Sequence, residues 1–153
     1  MSKSFILKLI STWFYSGLSP KMPGTVGSLA TLPAVWVLAW LGGWVAVLVF
    51  AVAAAAVGIW AADGYAKELG REDPGCIVID ETAGQALTLL AAGTNLWLYL
   101  IGFVLFRLLD ISKPGPVGWA DRNIHGGLGI MLDDVIAGII GGIILAGIRF
   151  YWF

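Results

Sequence analysis

The chain has 153 residues and a formal net charge of −1; 59% of its residues are hydrophobic and only 12% are charged. A soluble domain is about 45–50% apolar and about 25% charged, so this composition predicts one domain, residues 1–153, built for a bilayer. The lack of a basic excess argues against a nucleic-acid partner, and a single cysteine, Cys76, excludes an internal disulfide and a cysteine-based zinc site.

The first segment has the pattern of a short amphipathic helix. Its apolar residues share one helical face, and two lysines, Lys3 and Lys8, lie off that face; the apolar positions are Ile6, Leu9, Ile10, Trp13 and Phe14. This pattern predicts an N-terminal interfacial helix that lies in the membrane surface, although a helix packed against the rest of the chain would look the same. The segment lacks the sustained apolar core and small-residue cleavage site of a signal peptide.

The longest uncharged run extends from Met22 to Ala62. It is too long for one membrane helix, because about 20 residues cross the hydrocarbon core. Gly42 and Gly43 divide the run into two apolar halves, and paired glycines are a strong turn signal. The sequence therefore predicts a helical hairpin that turns at these glycines.

A second uncharged run, Thr82 to Phe106, is interrupted by the turn-forming residues "GTN" at positions 93–95. Two interpretations compete: one helix with a polar kink, or a second hairpin whose helices extend from about Ile77 to Lys113. The last apolar segment runs from about Gly127 to Ile148 and carries two acidic residues in its opening turns.

Charge placement favours the second hairpin. With two hairpins, eight of the nine Lys and Arg residues fall on one side of the membrane, and all ten acidic residues fall there too. The positive-inside rule makes that side cytoplasmic. A single kinked helix would distribute the basic residues over both sides. We therefore predict an all-α, polytopic membrane helical bundle with about five membrane helices, two hairpins plus one.

The loop before the first hairpin, "GLSPKMPGTVGS" at positions 17–28, is rich in glycine, proline and hydroxyl groups and contains one cation, Lys21. Glycines allow a backbone to approach an anion closely, and amides at a helix N-terminus bind phosphate. The lysine precedes the glycines, so the loop does not have the Walker pattern. It predicts a phosphate-binding loop at the depth of a lipid head group.

Three further polar clusters border the apolar segments on the same side: "IDETAGQ", "FRLLDISKP" and "HGGLGIMLDD". In the second of these, Arg107, Asp110 and Lys113 follow one another at i+3 steps, which predicts that they share one helix face. Any one of these charges could be only a solvated helix end. Together, however, so many carboxylates at close range require either raised pKa values or a cation. A donor set made only of oxygens favours Mg²⁺, and basic side chains beside it are the types that hold phosphate oxygens.

Taken together, "SGLSPKMPGTVGSL", "IDETAGQ", "FRLLDISKP" and "HGGLGIMLDDVIAG", in that order, resemble the phosphatidylglycerophosphatase A family from about Phe14 to Gly138. The resemblance implies a Mg²⁺-dependent lipid phosphatase that converts phosphatidylglycerophosphate to phosphatidylglycerol. It also implies a multi-pass protein of the bacterial cytoplasmic membrane whose active site faces the cytoplasm, and it leaves the oligomeric state open. One position departs from the family pattern, because Gly115 stands where a tryptophan usually follows the Lys-Pro pair.

The resemblance also implies roles for particular residues. The metal ligands would come from Asp80, Glu81, Asp110, Asp133 and Asp134; the phosphate oxygens would be bound by Lys21, Thr25, Ser28, Arg107 and Lys113; the catalytic residues would be His125, Asp133 and Lys113. Adjacent residues on a helix diverge by about 100°, so one member of the Asp133–Asp134 pair should bind the ion and the other should orient it. We favour Asp134 as the ligand. His125 would protonate the leaving glycerol oxygen, with helix capping or packing as its alternative role.

Two other classes of protein remain as alternatives. A small transporter would place its charged residues near the bilayer midplane, whereas these clusters gather at one rim. A non-catalytic protein that binds anionic lipids would need the basic loop, but it would have no use for five carboxylates beside that loop.

Overall fold

A computed structural model describes all 153 residues, and 81% of them are helical, with no strands. This confirms the all-α prediction. The helices are α1 (Lys3–Ser11), α2 (Pro23–Leu69), α3 (Ile79–Thr88), α4 (Leu96–Ser112), α5 (Pro116–Asn123) and α6 (Gly126–Trp152), with short 3₁₀ turns at Ser16–Leu18 and Leu89–Ala91.

Helix α2 reverses direction at Gly43, where the backbone adopts φ 63° and ψ −158°. Gly27 packs against the side chain of Val78, and Gly58 packs against the side chain of Ile79, which follows Val78 in the chain. In one continuous helix, Gly27 and Gly58 would be separated by about 46 Å. The two arms, 23–42 and 44–69, therefore fold back on each other, as the glycine pair predicted.

Helices α3 and α4 form the second predicted hairpin. Gln85 Nε2 donates a hydrogen bond to the carbonyl of Gly102 at 3.4 Å, and Glu81, one turn earlier in α3, lies beside Arg107 further along α4. This antiparallel pairing excludes the single kinked helix. Asn95 caps α4, since its Oδ1 accepts a hydrogen bond from the amide of Trp97 at 2.9 Å.

Helix α3 lies at the centre of the bundle, and seven of its ten residues are buried. With the 3₁₀ turn that follows, it rises about 21 Å, less than the ~30 Å hydrocarbon core. Its backbone contacts α6 closely: a Cβ on Gly84 would meet the Asp134 carbonyl at 2.5 Å, and Gly138 faces the carbonyl of Gly84. These glycines bring the carboxylates of α3 and α6 to the same place.

The outer surface of the bundle is apolar. Two helices, α2 and α6, are long and apolar enough to cross a membrane. Large side chains such as Trp40, Trp44, Trp97 and Ile143 are well exposed. Monomeric soluble proteins rarely expose so large a continuous apolar surface, and tryptophans near helix ends are typical of the membrane interface.

Both hairpin turns lie at the same end of the bundle. Trp36 of the first hairpin donates from Nε1 to the carbonyl of Thr94 in the second turn at 3.2 Å. Arg149, near the end of α6, donates to the carbonyl of Ala91 at 2.5 Å. Arg149 is the one charged side chain at this end, and the polar clusters lie at the other, in agreement with the predicted separation of charge.

Helix α1 packs against the second arm of α2. Leu7 is fully buried and its side chain lies over Gly64, and Ser4 Oγ donates to Glu68 at 2.9 Å. Helix α1 therefore packs on the bundle at its charged end, and its position in the membrane surface stays a prediction. Leu7 was not on the predicted apolar face, whereas Phe14, which was, is 65% exposed.

Two features near the end of α4 differ from the prediction. Arg107, Asp110 and Lys113 were expected on one helix face, but α4 ends at Ser112 and Lys113 has φ 48°. The cause is Pro114, which has no amide to continue the helix. The chain then forms α5, a short helix that the sequence did not predict, and α5 packs on α6.

Candidate active site

The polar clusters converge on one cavity of about 340 Å³ at the charged end of the bundle. Helix α3, the end of α4, α5, the start of α6 and the loop before α3 all contribute to it. Among the predicted site residues, those lining the cavity are Asp80, Glu81, Asp110, Lys113, His125, Asp133 and Asp134.

Three carboxylates form the core of this site. One oxygen from each of Asp80, Glu81 and Asp134 lies within 4.8 Å of the others. Each residue also has a buried carboxylate oxygen without a hydrogen-bond partner, namely Asp80 Oδ1, Glu81 Oε2 and Asp134 Oδ2. Burying a carboxylate unpaired is unfavourable by several kcal/mol. This oxygen-only set therefore fits a hard divalent cation such as Mg²⁺.

The other two predicted ligands are engaged by cations of the protein. Asp133 accepts a hydrogen bond from Lys113 Nζ at 2.7 Å, and its other oxygen accepts from the amide of Asp134 at 3.0 Å. Asp110 is hydrogen-bonded to the Arg107 guanidinium, one helical turn earlier in α4. Asp110 and Asp133 thus each bind a basic side chain at hydrogen-bonding distance. Asp80 and Asp134 form no ion pair, and Glu81 has only the longer contact with Arg107 at 3.9 Å. The choice of Asp134 over Asp133 as a ligand stays a prediction.

Lys113 is held at the cavity wall by two carboxylates. Its Nζ donates to Asp133 at 2.7 Å and to Asp121 at 3.0 Å. Partial burial alone would lower the pKa of Lys113, but these two hydrogen bonds raise it above its ordinary value. The ammonium group therefore stays charged, and its third N–H remains available to an oxygen in the cavity.

Arg107 joins the start of α2 to the carboxylates. Its Nη1 lies 3.9 Å from Glu81 Oε1, and its Nε is buried without a hydrogen-bond partner. The Arg107 guanidinium and the Glu81 carboxylate both lie so close to Gly24 that a Cβ at this position would collide with them. Met22 provides no side-chain cap and Pro23 has no amide. The amides of Gly24 and Thr25 are therefore among the free donors of the helix N-terminus.

Lys113 is the one predicted phosphate-binding residue that lines the cavity, and Arg107 reaches it only through its contacts with Asp110 and Glu81. Lys21 is exposed, Thr25 is half-buried, and Ser28 is fully buried with an unpartnered Oγ. Only the backbone of the loop, at Gly24, reaches the site. His125 is exposed at the cavity wall and occupies the N-cap position of α6, yet its side chain makes no capping hydrogen bond. The structure therefore gives no support to side-chain capping as the role of His125.

Three acidic residues of the site were not predicted: Glu72, Asp73 and Asp121. Asp121 lies on α5 and pairs with Lys113, and the other two lie in the loop between α2 and α3. Their negative charge, in a chain with few charged residues, was the one sequence feature that could have indicated them. Hydrophobic periodicity does not predict that the α2–α3 loop and α5 fold over the site.

An all-helical body with an apolar exterior and a carboxylate-lined cavity at one end is typical of a helical membrane protein with a polar site. The chain belongs to the phosphatidylglycerophosphatase A family, whose model matches residues 9–149.

Three curated relatives match nearly the whole chain. The Escherichia coli (strain K12) protein named phosphatidylglycerophosphatase A is 44% identical over 94% of this chain and 84% of its own. The Haemophilus influenzae protein of the same name is 36% identical over 95% and 90%. A Bacteroides thetaiotaomicron protein named "Putative phosphatidylinositol-3-phosphatase" is 39% identical over 95% of each. No solved structure matches the chain.

The three-carboxylate site predicts a specific response of stability to Mg²⁺. Thermal unfolding of the purified protein in detergent should shift upward with Mg²⁺, because the ion binds only the folded state. Asp134→Asn and Glu81→Gln should lose most of that shift. In chelator, both variants should be at least as stable as wild type, since each removes one charge from a crowded cluster.

The matched control is Glu68→Gln, which removes an acidic side chain that lies at the same end of the bundle but outside the cavity. It should respond to Mg²⁺ as wild type does. Unfolding of Asp134→Asn in chelator, under conditions where wild type stays folded, would mean that the carboxylate is structural.

Proposed function

We propose that this protein hydrolyses the terminal phosphomonoester of phosphatidylglycerophosphate to phosphatidylglycerol and phosphate, with Mg²⁺ as cofactor. The observation that carries the proposal is the cluster of Asp80, Glu81 and Asp134, each of which has a buried carboxylate oxygen without a hydrogen-bond partner, beside two oriented cations. The names of the Escherichia coli and Haemophilus influenzae relatives supply the substrate. The name of the Bacteroides relative indicates the same chemical class, a phosphomonoester on a membrane lipid.

The ion would be held by Asp80, Glu81 and Asp134, whose unpartnered oxygens are the ligands that fit it. When bound, Mg²⁺ offsets the negative charge of the phosphate and lowers the pKa of a coordinated water. Uncatalysed hydrolysis of phosphate monoesters is among the slowest known reactions, so neutralisation of charge is the main requirement of catalysis here.

The side chains around the carboxylates bind the phosphate. The free N–H of Lys113 and the Arg107 guanidinium donate to its non-reacting oxygens, and these contacts strengthen as negative charge spreads in the transition state. Asp133 and Asp110 hold the two cations in position. The amides of Gly24 and Thr25 add neutral donors, and Lys21 contributes charge from the loop before α2.

His125 donates a proton to the glycerol oxygen as the phosphorus–oxygen bond breaks. It is the one histidine in the chain, and it lies at the wall of the cavity with an unengaged side chain. A general acid of this kind contributes about 10²–10⁴-fold to a rate.

For the topology, we propose five membrane helices: the two arms of α2, α3 with its 3₁₀ turn, α4 and α6. The hairpin turns face outward and the N-terminus and active site face the cytoplasm of a bacterial cell. Support comes from the charge distribution, since Arg149 alone lies at the end with the turns and basic residues concentrate on the cytoplasmic side of membrane proteins. This places the site at the leaflet in which the lipid substrate is made available.

Phosphate release from phosphatidylglycerophosphate tests the proposed reaction directly. The purified protein should release phosphate with Mg²⁺ and not in chelator. Arg107→Ala should lower kcat as well as raise KM, because its contacts with the phosphate are strongest in the transition state. Lys21→Ala should do the same to a smaller extent, because Lys21 acts only through its charge. The control Arg149→Gln, at the opposite end of the bundle, should leave kcat unchanged. Near-normal turnover of either site variant would make that residue only an interfacial anchor.

Cysteine labelling in intact cells tests the topology. In a background where Cys76 is replaced by serine, Asn95→Cys should react with a membrane-impermeant thiol reagent, because the second turn faces outward. Lys67→Cys, at the site end, should react only after the cells are opened. Labelling of both residues from outside would contradict the proposed arrangement.

A further inference from the structure

A second cavity of about 420 Å³ adjoins the carboxylate site and is lined mainly by the end of α2 and the start of α6. It shares Glu72, His125 and Gly126 with the first cavity, so these residues border both cavities. Its remaining charged lining residues are Asp63, Lys67 and Arg71, none of which has a role in the proposed hydrolysis.

The charge of the second cavity differs from that of the first. Lys67 is paired with Asp63 at 2.6 Å, and Asp63 also accepts a hydrogen bond from the amide of Gly127 at 3.2 Å. Arg71 makes no ion pair and no side-chain hydrogen bond, so its guanidinium is free to bind an anion. In the first cavity, by contrast, carboxylates outnumber cations, which leaves no favourable place for a second phosphate.

Exposed apolar side chains lie next to the second cavity on both of the helices that line it. Ile59 and Trp60, one helical turn deeper on α2 than Asp63, are exposed, and so is Leu128 on α6. The two helices meet at this point, since a Cβ on Gly127 would contact the carbonyl of Ile59. A lipid head group bound in the cavity would therefore have its acyl chains along an apolar helix surface.

We propose that this second cavity binds the phosphodiester of the lipid substrate and that Arg71 is its main contact, an inference that rests on the proposed function. The substrate carries two phosphates joined by one glycerol. With the monoester at the three carboxylates and the diester at Arg71, the glycerol lies along the shared wall. His125 belongs to that wall, which places it beside the glycerol oxygen that leaves.

The test compares the lipid with a substrate that lacks the diester. Rates for phosphatidylglycerophosphate in neutral detergent micelles are measured beside rates for glycerol 3-phosphate, which keeps the glycerol and the monoester. Arg71→Gln should lower kcat/KM for the lipid roughly tenfold or more beyond any change for glycerol 3-phosphate, because it removes a charge-assisted hydrogen bond. Arg71→Lys, which keeps the charge, should recover part of the loss.

Arg122→Gln is the matched control, because Arg122 is an exposed arginine at the same end that lines neither cavity. It should leave both rates unchanged. Equal losses for the two substrates with Arg71→Gln, or no loss for the lipid, would overturn the assignment of the diester site. If wild type hydrolyses neither substrate with Mg²⁺, the proposed function fails instead.

Discussion

Three carboxylates with unpartnered, buried oxygens are held within 4.8 Å of one another at the end of an apolar bundle. Such an arrangement is unfavourable by several kcal/mol unless a cation compensates it. The fold imposes it nevertheless, because Gly84 and Gly138 let the backbones of α3 and α6 meet. Asp80 and Glu81 in the first turn of α3 are thereby brought beside Asp134 of α6.

The basic side chains near these three carboxylates offset only part of the negative charge of the site. Asp133 binds Lys113 at the wall of the cavity, and Asp110 binds Arg107 beside Glu81. The three central carboxylates have no basic partner at hydrogen-bonding distance. In the proposed function, a cation bound by these three residues and the two oriented basic side chains would together allow so acidic a site to receive a doubly negative phosphate group.

The parts of the fold that could be predicted were those set by local chemistry. Gly42-Gly43 and "GTN" marked both hairpin turns, because an apolar run longer than a bilayer must turn where glycine permits it. The separation of charge along the chain placed the four clusters at one end. What could not be predicted depended on tertiary packing: the burial of Leu7, the short α5, and the division of the carboxylates. Ser28 was assigned to phosphate, yet its side chain points into the protein interior, which hydroxyl chemistry alone does not reveal.

The central claim is that Asp80, Glu81 and Asp134 together bind the divalent cation. It is tested most directly by locating Mn²⁺, bound in place of Mg²⁺, by anomalous scattering from crystals of the protein. The account predicts one peak bounded by oxygens of these three residues, with Asp133 still paired to Lys113. A peak coordinated by Asp133 and Asp110 instead, or no peak in a crystal of active protein grown with Mn²⁺, would contradict it.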